Sequence, residues 1–252
     1  MMKPKTKIIL IITIALVLLI GMASNAYATA LPSLTLNTNS GGNGNLDVLQ
    51  IVFMLSLVAL LPTILIMMTS FTRIIIVLSF VRNALGLQQT PPNQVLIGLA
   101  LLLSFFIMSP VIDQVKTQAF DPYANGSITQ EVALEKAAVP LRTFMLKQTS
   151  NEDLKLFISL SKDNQAIKSV DDVKTNVVMA AFVTSEMKRA FIIGFMIYIP
   201  FLIIDMVVAS VLMSMGMMML PPVMISLPFK ILLFVLVDGW GLIVKTLIMS
   251  FN

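Results

Sequence analysis

Long uncharged runs alternate with polar stretches along this chain, and the runs are long enough to cross a bilayer. Residues 48–72 carry no charge over 25 residues, whereas a helix needs only about 20 apolar residues to span a hydrocarbon core. A second uncharged run covers residues 83–112, and a third, residues 190–220, contains a single carboxylate, Asp205. The pattern predicts a set of membrane helices.

Proline and polar residues divide these runs into two hydrophobic hairpins. The first, residues 47–112, turns at a polar segment in which Thr90 is expected to cap a helix that starts at Pro91. The second, residues 190–252, turns at Pro221 and Pro222, because proline cannot continue a helix.

The segment between the hairpins, residues 113–189, is polar: it holds 10 basic and 10 acidic side chains. Ser127 and Gln130 fit a capping box at the start of one helix, and Ser150 or Asn151 is expected to cap the next. A further helix is predicted to run from about residue 173 into the apolar segment. These features predict a small helical domain.

The first residues have the layout of a cleavable secretory signal. Lys3, Lys5 and Lys7 precede an apolar core, and Ala26-Tyr27-Ala28 forms an A-x-A site. We predict a signal peptide over residues 1–28, followed by a flexible stretch over residues 29–46. An uncut N-terminal anchor is the alternative, because the apolar run could nearly span a bilayer.

Basic residues suggest an orientation for the hairpins. Arg73 and Arg82 are assigned to the loop of the first hairpin, and a short basic loop prefers the cytoplasm. Residues 113–189 would then lie in the periplasm. The expected fold is an all-α membrane protein whose two hydrophobic hairpins flank a helical periplasmic insert.

Composition supports a membrane protein and excludes several kinds of site. Hydrophobic residues make up 57% of the chain and charged residues 12%, with a mean hydropathy of +0.92. The sequence has neither cysteine nor histidine, so it cannot form a Cys–His zinc site, a Ser-His-Asp triad or a thiol nucleophile. It also lacks a phosphate-binding loop of the G-x-x-x-x-G-K-[ST] type, and no cofactor or enzymatic activity is expected.

Removal of the predicted signal lowers the net charge from +4 to +1, since three lysines are lost. No basic patch for nucleic acid remains.

Isolated charges within the apolar segments are candidate functional residues. On a helix, Asp205 shares a face with the small residues Gly194 and Gly216, and Ala190 and Ala209 extend it. This pattern favours helix packing over lipid contact. Five further charged residues occur at the edges of or within the second hairpin: Glu186, Arg189, Lys230, Asp238 and Lys245. They are interpreted as assembly contacts, with a proton relay as the alternative.

If the second hairpin turns symmetrically at Pro221, Asp205 and Asp238 lie at similar depth. Two carboxylates there would repel each other. Either they face different neighbours, or one is protonated, or a basic residue of another subunit lies between them.

Three adjacent methionines end the third run. Met217, Met218 and Met219 cannot all point to one core face of a helix, so a loop between Gly216 and Pro221 suits them better. Methionine gives an adaptable lining to a passage; ordinary core packing is the alternative.

Several motifs closely resemble the FliP family of flagellar export proteins. They are the segments 179–195, 200–210, 216–222 (GMMMLPP) and 228–240 of the second half, with 68–86 and 88–93 upstream. The resemblance covers roughly residues 46–252 and is weakest across the polar segment.

This resemblance implies a subunit of the flagellar type III export gate in the bacterial inner membrane, at the flagellar basal body. Further FliP copies would form a ring with FliQ and FliR, alongside FlhA and FlhB, through which unfolded flagellar proteins pass. The family's methionine loop narrows that channel, a gasket role that carries over to Met217, Met218 and Met219. The rival readings are a small-solute or ion transporter that uses Asp205 and Asp238, and a purely structural scaffold.

Overall fold

The computed structural model describes residues 44–161, 169–217 and 219–251, and all of its regular elements are helical. The all-α class is therefore confirmed. The predicted signal peptide, most of the stretch 29–46, and Met218 lie outside the described residues.

Nine α-helices follow one another through the described residues. They are α1 (Gly44–Met67), α2 (Phe71–Ala84), α3 (Asn93–Val115), α4 (Asp121–Ala124), α5 (Gln130–Gln148), α6 (Asn151–Leu160), α7 (Thr175–Ser214), α8 (Pro222–Leu236) and α9 (Gly239–Met249). A π-helical turn, Lys116–Phe120, joins α3 to α4, and a short 3-10 helix, Val170–Asp172, precedes α7.

The uncharged run of residues 48–72 contains a break rather than one helix. α1 ends at Met67 and α2 begins at Phe71. Between them, the Thr69 hydroxyl donates to the carbonyl of Ile66 and accepts from the backbone N–H of Phe71. Such local side-chain bonds compete with helical backbone bonds, and here they accompany the break.

One of the three helix starts predicted from the sequence agrees with the structure. The Ser150 hydroxyl accepts a 3.1 Å hydrogen bond from the N–H of Asp153, so the predicted cap of α6 is confirmed. The other two starts are wrong. α3 begins at Asn93, two residues after Pro91, and Gln130 is the first residue of α5, where a capping box would need it at the third position.

Contacts divide the chain into two units, residues 1–56 and residues 57–252. Among the described residues, the first unit contains only the N-terminal part of α1. The second contains α2 to α9 and two clusters of buried apolar side chains. One cluster joins α2, α3, α7, α8 and α9; the other joins α5, α6 and the start of α7.

Polar contacts show that α2 and α3 are antiparallel. Ser70 at the start of α2 donates to Ser104 in the middle of α3, at 3.0 Å. At the other end, the Arg82 Nη1 donates to Oδ1 of Asn93 at 2.6 Å. The connection between the two helices therefore reverses the direction of the chain.

The small-residue face of α7 packs against α2, as predicted. Ala190 and Gly194 are both buried. A Cβ added at Gly194 would lie 2.5 Å from Cγ of Phe80, so the close approach of the two helices requires glycine. Gly216 does not belong to this face, because α7 ends at Ser214.

Gly194→Ala should test this close approach. Alanine favours a helix over glycine by about 1 kcal/mol, but displacing the root of the Phe80 ring should cost about 1–3 kcal/mol through overpacking. We expect net destabilisation, measured by thermal unfolding in detergent. Gly98→Ala is the matched control, because nothing lies within 4 Å of its added Cβ. A Gly194→Ala protein as stable as Gly98→Ala would contradict the required approach.

Two helical segments of the described residues are long and apolar enough to cross a membrane: residues 93–124 and 175–214. Helices α8 and α9 pass the same test as a pair, although they are bent by 64°. Only 22% and 11% of the two most apolar windows are buried within the chain. These helices therefore present large apolar surfaces to lipid or to other subunits.

Candidate functional site

A buried ion pair joins α2 to α7. The Arg73 Nε donates to Oε2 of Glu186 at 2.9 Å, and Nη2 contacts Oε1, so the pair is bidentate. Both side chains are 0% exposed. A buried pair of this kind is weakly stabilising as a whole but strongly destabilising when one partner is removed.

The remaining donors of Arg73 bind the end of the described chain. Nη1 donates to the carbonyl oxygen and the hydroxyl of Ser250, at 2.7 and 2.9 Å. The guanidinium lies 3.7 Å from the ring centroid of Phe251, a cation–π geometry. Arg73 thus connects three separate parts of the sequence.

Gln148 of α5 completes this buried cluster. Its Oε1 accepts from Nη2 of Arg73 at 3.2 Å and from Nη1 of Arg189 at 3.0 Å. Its Nε2 donates to the carbonyl of Phe251 at 2.8 Å. We call Arg73, Gln148, Glu186, Arg189 and Ser250 the arginine cluster. No local pattern in the sequence marks Gln148 as a buried residue of this cluster.

The assignment of Arg73 to a connecting loop is wrong. Arg73 lies in the first turn of α2 and is buried. Arg82 lies nine residues further along the helix, about 13 Å away at 1.5 Å per residue, and next to the α2–α3 connection. Only Arg82 therefore remains as a basic residue of that connection, and the cytoplasmic side of the loop stays a prediction.

A second ion pair holds α7 against α8. Nζ of Lys230 donates to Oδ2 of Asp205 at 2.6 Å, and the Ser226 hydroxyl donates to Oδ1. Lys230 is 2% exposed and Asp205 20% exposed. We call these three residues the Asp205 site. All hydrogen bonds of the carboxylate described here come from α8.

The partner of Asp205 differs from the sequence-based expectation because the turn after α7 comes earlier in the chain than Pro221. A turn centred on Pro221 would put Asp205 opposite Asp238. The helix in fact ends at Ser214, and this earlier turn brings Lys230 to Asp205. The glycine at position 216, with φ 74°, is the signal in the sequence, because such a glycine often directly follows the C-cap of a helix.

Asp238 and Lys245 do not join the Asp205 site. Asp238 is exposed and adopts a left-handed conformation, φ 50°, at the bend between α8 and α9. Lys245 is exposed on α9. Neither forms an ion pair within the described part of the chain, so Asp205 and Asp238 face different neighbours.

The methionine segment forms a loop, as predicted for the residues that are described. The N–H of Gly216 donates to the carbonyl of Met213 and that of Met217 to Leu212, both at 3.0 Å. This is the Schellman arrangement, which ends α7 sharply. Met217 is half-buried, whereas Met219 is 99% exposed.

The described residues contain no group of three or more acidic side chains that could hold a metal ion. The buried charges instead pair with each other. The geometry supports packing and assembly, with an exposed methionine at the tip of one loop.

Asp153 forms a third ion pair, at the junction of α6 and α7. Its carboxylate accepts from the Lys188 ammonium, from the Ser185 hydroxyl at 2.7 Å and from the Ser150 hydroxyl at 2.8 Å. The hydrogen bond from Lys188, aided by those from the two serines, lowers the pKa of Asp153 and outweighs the opposing effect of burial.

This shift predicts a dependence of stability on pH. Because the folded pKa lies below the unfolded value of about 3.9, the stabilisation is present above that value and is lost as the pH falls through the folded pKa. Asp153→Asn should unfold at a lower temperature at pH 7 and lose less stability between pH 5 and pH 2 than the parent. Glu152→Gln, which removes an exposed neighbouring carboxylate, is the control for a change in charge alone. Equal acid sensitivity of the parent and Asp153→Asn would contradict this role.

Long apolar helices with buried ion pairs between them are typical of an all-helical membrane protein. The family model described as the FliP family matches residues 54–247, and the chain belongs to this family. The resemblance seen in its motifs is thus confirmed.

Its relatives are flagellar proteins. The chain is 57% identical over 202 residues to the flagellar biosynthetic protein FliP of Bacillus subtilis (strain 168), covering 80% of this chain and 91% of that protein. It is 53% identical over 235 residues to the protein of the same name from Pectobacterium carotovorum, covering 92% and 90%. The corresponding protein of Aquifex aeolicus is 48% identical over 213 residues, covering 84% and 89%. FliP is not a known family of enzymes.

Proposed function

We propose that this chain is a subunit of the flagellar protein export gate in the bacterial inner membrane. Copies of the chain, together with FliQ and FliR, would surround a channel for unfolded flagellar proteins, and FlhA and FlhB would complete the apparatus. Family membership supports this role. The polar segment 113–189 is proposed to face the periplasm.

The observation that carries the proposal is the exposed methionine loop. Met219 is 99% exposed in the isolated chain, more than any other large apolar side chain among the described residues, so it adds nothing to core packing within the chain. A ring of such loops would give a flexible apolar constriction. Methionine can adapt to many substrate side chains, and an apolar constriction limits ion flow.

Apolar surfaces elsewhere on the chain support assembly with partners. An open cleft of about 550 Å³ between α7 and α8 is lined only by apolar side chains, among them Val207, Val211 and Phe229. An apolar lining of this kind fits contact with other proteins or with lipid. The cleft is available to neighbouring subunits of the proposed ring.

A single cysteine at the loop tests the channel. The chain has no cysteine, so Met219→Cys provides a unique thiol. In cells that export a stalled flagellar substrate with its own single cysteine, we expect an oxidative crosslink between the two chains. Leu134→Cys, at an exposed position on α5, is the control and should give no adduct.

The crosslink and the amount of exported flagellar protein are measured together. An adduct at Met219 but not at Leu134 supports a lining role. Absence of any adduct, with normal export by the Met219→Cys protein, would exclude the methionine loop as a substrate contact and leave the family assignment intact.

A further inference from the structure

A cavity of about 540 Å³ lies between α3, α5 and the C-terminal end of α9, outside the methionine loop and the Asp205 site. Most of its wall is apolar and includes Phe106, Val111, Phe144, Ile248 and Phe251. Its volume falls within the range of about 300–1,000 Å³ that is typical of ligand pockets. Lys147 and Gln148 add a polar side.

The polar side carries unpaired positive charge. Lys147 is exposed on α5, and no carboxylate lies within ion-pair distance of it among the described residues. Gln148 receives hydrogen bonds from the guanidinium groups of Arg73 and Arg189. The arginine cluster and Lys147 at its edge thus hold three cations, Arg73, Arg189 and Lys147. The cluster contains one carboxylate, Glu186. The cavity therefore favours an anion on this side.

The cavity also lies at a boundary between apolar and polar helices. One wall belongs to α3, part of a segment that is apolar enough to span a membrane. The opposite wall belongs to α5, which carries charged residues along its length. Such a boundary matches a molecule with one apolar end and one charged end, such as a phospholipid, whose anionic head group is attracted by about 1 kcal/mol for each lysine or arginine near it.

We propose that this cavity binds an anionic phospholipid. An acyl chain lies against the apolar wall of α3 and α9, and the phosphate group binds Lys147. The arginine cluster behind Gln148 adds a favourable potential for the phosphate. This proposal does not depend on the role of the methionine loop.

Native mass spectrometry of the full chain in detergent tests the proposal. The purified protein is mixed with equal amounts of phosphatidylglycerol and phosphatidylethanolamine. We expect preferential retention of phosphatidylglycerol, and about a fivefold loss of that preference in Lys147→Gln, the effect of one cation near a lipid head group. Thr143→Trp, which fills the cavity from an exposed position, should lower retention of both lipids.

Lys155→Gln is the matched control, because Lys155 is exposed on α6 and does not line the cavity. It should retain phosphatidylglycerol like the parent. Equal retention of the two lipids by the parent, or unchanged retention in Lys147→Gln, would overturn the proposal.

A photocrosslinking experiment distinguishes a lipid in the cavity from a protein. A photoreactive phenylalanine derivative at position 143 of the chain, assembled in cells, should give adducts with phospholipid. Adducts only with another protein subunit would show that a partner fills the cavity, and would likewise overturn the proposal.

Discussion

Arg73→Ala is expected to lower the free energy of unfolding by about 3–5 kcal/mol, because it leaves the Glu186 carboxylate buried without its cation. The cost is large because Glu186 is 0% exposed and no other basic group contacts it directly among the described hydrogen bonds. The same substitution removes both hydrogen bonds to Ser250. We expect reduced amounts of folded protein and a lower unfolding temperature in detergent.

Fluorescence of Trp240, the single tryptophan of the chain, reports this unfolding. Lys155→Ala removes an exposed cation and should change stability by no more than about 0.5 kcal/mol. The double variant Arg73→Met, Glu186→Leu removes both buried charges and should recover part of the loss. A double variant no more stable than Arg73→Ala would show that the unpaired carboxylate is not the main cause.

The buried position of Arg73 and its partner could not be predicted from the sequence around it. The uncharged runs correctly predicted helices, since apolar composition is a local property of the chain. An arginine after 25 uncharged residues is typical of the end of a membrane segment. Its partner Glu186 is 113 residues away, and nothing local distinguishes an arginine with a distant buried partner from one in a loop.

The Asp205 site could be predicted in part from the sequence. Both Asp205 and Lys230 were selected as candidate residues from the sequence, and only their pairing was missed. The Schellman turn at Gly216 ends α7 a few residues earlier than a turn at Pro221 would. Because α7 and α8 run antiparallel, the earlier turn places Lys230, and not Asp238, next to Asp205. The pairing therefore depends on the position of the turn, which Gly216 indicates in the sequence.

The pairing also bears on the rival transporter interpretation. A coupling carboxylate must gain and lose a proton or an ion during transport. Asp205 is instead held by an ammonium and a hydroxyl from α8, and Asp238 is exposed at a bend. The two carboxylates do not form a common site, so the structure favours the structural interpretation of Asp205.

Asp205→Asn should destabilise the contact between α7 and α8 by about 3 kcal/mol, because the buried Lys230 ammonium then lacks an anion. Lys230→Met should have a similar effect, since the carboxylate loses its cation in apolar surroundings. The double variant Asp205→Asn, Lys230→Met should regain stability and flagellar protein export together. Trp240 contacts Phe234 on α8 with ring centroids 5.4 Å apart, so its fluorescence follows unfolding of this helix.

Lys245→Met is the matched control for loss of a lysine, because Lys245 is exposed on α9. It should leave the unfolding temperature of the isolated chain nearly unchanged. Export separates the two roles of Asp205: a proton relay requires its carboxylate, whereas a structural pair does not. If the double variant folds and assembles normally but exports nothing, Asp205 acts in transport, because packing alone would have been restored.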